Sequence, residues 1–189
     1  MRLSVMCLAG LLTMSVSARA QSEKAEAAPP PSKHDTVSVT VEQVPGKNQV
    51  RVDIFVVNVE PVAGLPMPFK ITAKDAKLRF DSVSYAGGRV EYFQLKTQNP
   101  DTTNQTVLLG LIADLSGTKP PLAPGRGKAL SLYYSAAGAL AAADVKVEPV
   151  LLSPANRLEF NTIESDGTVG STIPTFVVGK AAPAPAKKE

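Results

Sequence analysis

Residues 36–57 read TVSVTVEQVPGKNQVRVDIFVV, and the reading of this stretch decides the fold. From Thr36 to Val41 every second residue is valine and the residues between are Thr or Ser. A β-strand sends successive side chains to opposite faces, so a period of two describes a strand with one buried and one wet face. Pro45-Gly46-Lys47-Asn48 then supplies turn residues: proline presets φ, while glycine and asparagine accept a left-handed backbone. Val50, Val52 and Ile54 resume the alternation against Arg51 and Asp53, and Phe55-Val56-Val57 ends apolar on both faces.

The same pattern continues downstream. Strands are expected at 68–73, 77–85, 89–96, 106–113, 128–135, 144–151, 158–163 and 172–178. Gly87-Gly88, Asn99-Pro100-Asp101, the run 117–127, Ser153-Pro154 and Asp166-Gly167 mark turns between them. Short strands at spacings of roughly 8–12 residues, with no sustained helical period, predict an all-β sandwich or barrel of about nine or ten antiparallel strands. The stretch 136–143, Ala-rich with Gly138 inside it, fits either one helical turn or a loop of small residues. Pro66 and Pro68 sit two apart, so their missing N–H groups fall on one side of a strand. Either the strand starts near Phe69, or 62–68 runs along an open edge.

The chain has 189 residues, 44% hydrophobic and 20% charged, a composition that excludes disorder for its middle. Met1-Arg2, the apolar run 3–16 and Ala18-Arg19-Ala20 match the three parts of a signal peptide, with cleavage expected between Ala20 and Gln21. The run is too short for a comfortable membrane span, and no other stretch approaches the required ~20 apolar residues. Residues 21–34 (QSEKAEAAPPPSKH) read as a solvated Ala/Pro linker and 180–189 (KAAPAPAKKE) as a tail of the same character. Residues 35–179 remain as one domain, exported to a periplasmic or extracellular location. They hold 13 Lys and Arg against 14 Asp and Glu, a net charge of −1, so the chain offers no footprint for nucleic acid.

Residue counts remove most chemistry. Cys7 is the only cysteine and lies in the leader, which excludes thiol nucleophiles, thiolate metal sites and disulfides from the exported chain. His34 is the only histidine and lies in the linker, so no Ser-His-Asp arrangement is possible within the domain. Gly125-Arg126-Gly127-Lys128 lacks the first glycine and the final Ser or Thr of a phosphate loop, since Leu122 and Ala129 stand there. Asp53, Glu60, Glu91, Asp114 and Glu159 lie in or beside strands, where charge marks a solvent face, and no spacing pairs two of them for acid–base work. The oxygen-rich stretch 99–104 lacks calcium-loop spacing and reads as an Asx-type turn. Asn104-Gln105-Thr106 fits a glycosylation acceptor, a short and common pattern. Tyr85, Tyr92, Phe93, Tyr133 and Tyr134 are the rings available to stack on a sugar, but alternation must turn half of them inward, and the chain has no Trp. No cofactor and no catalytic role is expected.

Several of these stretches together resemble a known family. The order is VRVDIFVV (50–57), Asn58, then Glu60-Pro61-Val62-Ala63-Gly64-Leu65. It is followed by Phe80–Tyr85, Gly88-Arg89-Val90-Glu91-Tyr92-Phe93, Thr106–Ala113, and a Gly-rich approach to Ala129-Leu130-Ser131-Leu132-Tyr133-Tyr134. The arrangement is similar to cohesin domains, the dockerin-binding modules of bacterial scaffolds. The resemblance spans nearly all of 35–179 and implies a jelly-roll β-sandwich related to cellulose-binding modules. Many members carry a Tyr-Asp-Pro-like corner after the third strand where this chain has Ile71-Thr72-Ala73-Lys74-Asp75, so no dockerin contact is carried over residue by residue.

The expected function is a non-catalytic binding module that presents one sheet face to an exported protein, dockerin-like or a component of the envelope. The alternative is polysaccharide binding on the same architecture. Residues 89–95 and 107–113 have apolar residues at both odd and even positions, more than a strand with one wet face requires. Tyr92 and Ile112 are the partner-binding candidates on them.

Overall fold

The computed structural model describes residues 34–153 and 156–179. The expected leader with its expected Ala20–Gln21 cleavage, the expected linker up to Lys33 and the expected tail 180–189 lie outside the described residues. The alternating valines do what their period demands. In β1 (Thr36–Gln43) and β2 (Gln49–Asn58), Val41 stands opposite Val52 and Val39 opposite Ile54, all facing inward and buried. Nine further strands follow: β3 (Val62–Ala73), β4 (Leu78–Ser84), β5 (Leu95–Asp101), β6 (Thr106–Ile112), β7 (Gly125–Ala136), β8 (Val145–Pro149), β9 (Phe160–Ile163), β10 (Val169–Thr172) and β11 (Thr175–Val178).

They form two stacked sheets, the all-β sandwich expected. One runs β11-β1-β2-β7-β4, the other β10-β9-β3-β6-β5, with β8 also paired to β3. Every pairing is antiparallel except β1 with β11, which brings the two ends of the domain together in parallel. The core lies between the sheets, with Val37, Val52, Ile54, Leu130 and Leu132 from one face against Leu65, Met67, Phe69, Leu109 and Leu111 from the other.

The two prolines sit inside a strand, because β3 starts at Val62 and not near Phe69. On its β6 side, Ile71 N–H donates to Gln105 O and Ala63 O accepts from Ala113 N–H, so the odd-numbered groups serve β6. Pro66 and Pro68 face the other way, into the gap between β9, which pairs at Val62 and Gly64, and β8, which pairs from Phe69 onward. No N–H is needed there; Pro66 O and Pro68 O accept from Glu159 and Val150 N–H at 3.4 and 3.1 Å.

Three expectations are corrected, and the choice left open at 136–143 is settled. Residues 89–94 are turns, and the strand begins only at Leu95. Val90 and Phe93, three apart, are both buried, whereas a strand buries positions two apart. Asn99-Pro100-Asp101 ends β5, and the turn follows it at 102–105. The stretch 136–143 holds one 3-10 turn, Ala142–Asp144, at its far end. The expected strand at 172–178 is two strands separated by Ile173-Pro174, which raises the number to eleven.

Gly88 anchors the turn segment. A Cβ there would stand 2.0 Å from Ala129 O, where β7 bulges against β2, so only glycine lets the two backbones approach.

Candidate functional site

β6 is apolar on both faces, and the sandwich separates the two sets. Val107, Leu109 and Leu111 point into the core and are buried. Thr106, Leu108, Gly110 and Ile112 point outward and are half-buried. Pairing register places their neighbours on the same outer face. Ile112 stands between Gly64 of β3 and Leu95 of β5, and Gly110 between Pro66 and Thr97. Leu108 stands between Pro68 and Asn99, and Thr106 between Lys70 and Asp101.

The centre of this face is therefore apolar and poor in side chain. Ile112 with Leu95, and Leu108 with Pro68, flank a shallow row made by Pro66 and Gly110. Two neighbouring side chains crowd the glycines on this face. Thr97 Oγ1 donates to Gly110 O at 3.2 Å and would lie 2.6 Å from a Cβ at Gly110. The Asn161 side chain lies over Gly64 in the same way, its Nδ2 2.9 Å from where a Cβ would stand. Charges are confined to the rim: Lys70, the Lys146–Glu148 pair at 2.7 Å and the Arg157–Glu159 pair at 2.6 Å. Beside this rim the β8–β9 connection exposes Leu151 and Leu152, 68% and 44% accessible.

The outer face of the other sheet is polar over two central rows and mixed toward β11, where the half-buried Phe55 and Val57 share it with Ser38, Val177 and Lys128. Thr40, Asp53, Ser131 and Ser84 form one row across β1, β2, β7 and β4, and Glu42, Arg51, Tyr133 and Ser82 the next. The charges of these two rows satisfy one another. Arg51 bonds Glu42 at 2.6 Å and Asp53 at 2.9 Å, and Asp53 also accepts from Ser131 Oγ. Asp81 accepts from Gln49 and Ser135. Burial raises the Asp81 pKa, but these hydrogen bonds and the Arg79 charge outweigh it and hold the group below the usual carboxylate range.

Ile112 thus lies on the apolar face, at the end of β6 that it shares with Leu95, while Tyr92 lies off it. Tyr92 belongs to the turn segment before β5, with its ring edge-on to Phe93 and its hydroxyl donating to Pro120 O at 3.4 Å. Among the other rings, Phe93 and Tyr134 are core residues, Tyr85 is half-buried under Lys96, and Tyr133 faces outward on the polar sheet. Leu95, Leu108, Pro66 and Pro68 complete the apolar face without having been singled out for it. The even-numbered apolar residues of β6 were their only sequence signal, and the prolines read as backbone devices.

The carboxylates scatter. Asp53 is tied to Arg51 and Ser131, Glu159 to Arg157, Glu91 to the Gly87 N–H, and Asp114 to Ser116. Asp101 accepts from the Asn104 N–H and Nδ2 and from the Thr103 N–H, the Asx-type turn expected, and these bonds lower its pKa. Among the described residues no three His, Cys, Asp or Glu side chains gather as metal ligands, and no helix is long and apolar enough to cross a membrane.

No protein-family model matches the sequence, and no curated protein matches it either. Solved structures do match its fold. The seventh type I cohesin of ScaB from Pseudobacteroides cellulosolvens superposes with a TM-score of 0.54 at 12% identity, over 82% of this chain and 97% of that one. The sixth cohesin of scaffoldin B from Acetivibrio cellulolyticus, solved in complex with a dockerin, gives 0.54 at 14% identity over 79% and 99%. A type I cohesin–dockerin complex from Clostridium thermocellum gives 0.50 at 12% identity over 77% and 99%. The domain is a cohesin-like β-sandwich.

Proposed function

We propose that this chain is an exported, non-catalytic protein-interaction module that binds a dockerin-like partner through the outer face of the β3-β6-β5 sheet. The observation that carries the reading is the contrast between the two outer faces. One centres on a polar lattice of Glu42, Arg51, Asp53 and Ser131, with Phe55 and Val57 set apart among polar neighbours toward one end. The other has Ile112, Leu95, Leu108 and Pro66 around a row with little side chain, framed by charge. An apolar core within a polar rim is the anatomy of an interface that excludes water at its centre. The cohesin-like fold supports a dockerin-like partner, since two of the similar structures are complexes with dockerins. The leader-like sequence 1–20 supports export.

The test is recovery of a partner from the native envelope and culture medium by the wild-type chain and by Ile112→Asp, each with and without EDTA. A protein held by the wild type, released by EDTA and not held by Ile112→Asp supports the reading, because the calcium dependence of dockerins is what the resemblance implies. Equal recovery by both baits rejects the proposed face. Tyr133 gives a second reading some support: it is the tyrosine on that outer face, beside the Arg51–Glu42 pair. Glycan retained by the wild type and lost in Tyr133→Ala would move the assignment to carbohydrate binding.

A further inference from the structure

An exposed strand edge is a template for another chain, and proteins blunt such edges with charge, proline, bulges or poor strand formers. Four of the five edges here are treated in this way. β4 carries Arg79, Asp81 and a bulge after Phe80; β5 carries Lys96, Pro100 and Asp101. β8 carries Lys146 and Glu148 and stops at Pro149, and β10 is Val-Gly-Ser-Thr. β11 is the exception. Thr175-Phe176-Val177-Val178 has no charge, proline, glycine or bulge, and Val177 and Val178 are 45% and 57% accessible.

Its ladder shows what the edge offers. Thr175 N–H donates to Asp35 O and Gly179 N–H to Val39 O, so in this parallel pairing residues 175, 177 and 179 spend their backbone groups on β1. Phe176 and Val178 turn theirs outward. The next outward residue toward the N-terminus is Pro174, which has no N–H to give. Among the described residues the free edge is therefore two residues long and symmetric about Val177.

We propose that β11 pairs antiparallel with β11 of a second copy about a two-fold axis through Val177, joining the two five-stranded sheets edge to edge. In this register Phe176 faces Val178 of the other copy and Val178 faces its Phe176. Each pair exchanges both of its hydrogen bonds, so all the outward groups of both residues are used. A shift by two residues sets Pro174 opposite Val178 and forfeits a bond. Val177 meets its own counterpart at a non-hydrogen-bonded site, with Cα atoms about 4.5 Å apart. No charge lies within the four residues to oppose self-pairing. So short a pairing buries well under the ~1,200 Å² of a stable interface, so the dimer is weak and depends on concentration. It does not use the face proposed for the partner.

The test is sedimentation equilibrium of the full chain from micromolar to millimolar concentration, with two variants and a cross-link. The wild type is expected to move from monomer to dimer across this range. Val178→Pro deletes only an outward N–H, and Val177→Lys sets like charges face to face; both are expected to stay monomeric with unchanged far-UV circular dichroism. In a Cys7→Ser background, Val177→Cys should oxidise in air to a disulfide dimer, while Val59→Cys, at a similarly exposed site of 41%, should not. A wild type that stays monomeric at millimolar concentration, a dimer that survives both edge variants, or equal cross-linking at 59 and 177 overturns the proposal. Dimerisation seen only after removal of 180–189 also overturns it, because that edge would then be covered by the chain's own end.

Discussion

Arg89 donates from Nη1 to Asn58 Oδ1 at 2.8 Å, and the pair fastens the turn segment to the end of β2. The rest of the guanidinium goes to main-chain oxygens: Gly125 O at 2.9 Å, Ala123 O at 2.6 Å and Val56 O at 3.4 Å. Asn58, 3% accessible, donates in turn to Glu60, Leu122 and Ala123 carbonyls. The Arg89 hydrogen bonds all go to neutral oxygens, and burial lowers its pKa, outweighing an opposing effect from Tyr92.

Removing this clamp leaves several carbonyls without a donor. Arg89→Ala should cost ~2 kcal/mol, the range for hydrogen bonds to charged groups. Arg89→Lys should recover little of it, because an ammonium cannot reach acceptors spread around a planar fork. Urea unfolding measures both. A lysine variant as stable as the wild type would show that charge, not fork geometry, holds the loop.

Asp81 gives the fold an acid-sensitive contribution. Its folded pKa lies below the ordinary aspartate value of 3.8, so it binds a proton less readily folded than unfolded. The stabilisation is complete above that unfolded value and is lost as pH falls through the folded one. Asp81→Asn should therefore be less stable than the wild type at neutral pH, and the gap should close in acid. Thermal midpoints of both chains on either side of pH 3.8 test the sign. A gap that widens in acid would contradict it.

Most of the sandwich was legible because its strands alternate. The period of two in Thr36–Val41 and Val50–Ile54 needs only one buried face, and inter-sheet packing supplies it. Residues 89–94 misled because Val90, Tyr92 and Phe93 are β-branched or aromatic and so read as a strand. What places them is the tertiary contact of Gly88 with the Ala129 backbone. The Arg89 clamp was illegible for the same reason, since its acceptors come from 56–58 and 123–125 and no spacing connects those segments. The apolar face was half legible: β6 shows its two-sided character in sequence, but Leu95, Pro66 and Pro68 join it only through register.

The turn segment can be separated from a strand by two neighbouring rings. Phe93 is 2% accessible and Tyr92 37%. Phe93→Ala should cost ~3–5 kcal/mol, as for a core aromatic. Tyr92→Ala should cost under ~1 kcal/mol, since its hydroxyl makes one long bond at the surface. Comparable losses at 92 and 93 would mean that the segment is packed on both sides.

The proposed binding face makes a matching demand of β6. Leu111 and Ile112 are adjacent in sequence and opposite in direction: Leu111 is 1% accessible in the core, and Ile112 lies half-buried on the outer face beside Leu95. Leu111→Ala should remove ~2–5 kcal/mol of stability through the cavity it leaves. Ile112→Ala leaves an open surface where water replaces the lost carbons, so it should cost under ~1 kcal/mol. If the face is an interface, partner affinity reverses the order: Ile112→Ala weakens binding, while Leu111→Ala, measured at a temperature where it remains folded, leaves it nearly unchanged. Urea unfolding and partner titration on the same two variants separate packing from recognition. An Ile112→Ala chain as destabilised as Leu111→Ala would show that the outer row is covered by the chain itself and is not free to bind.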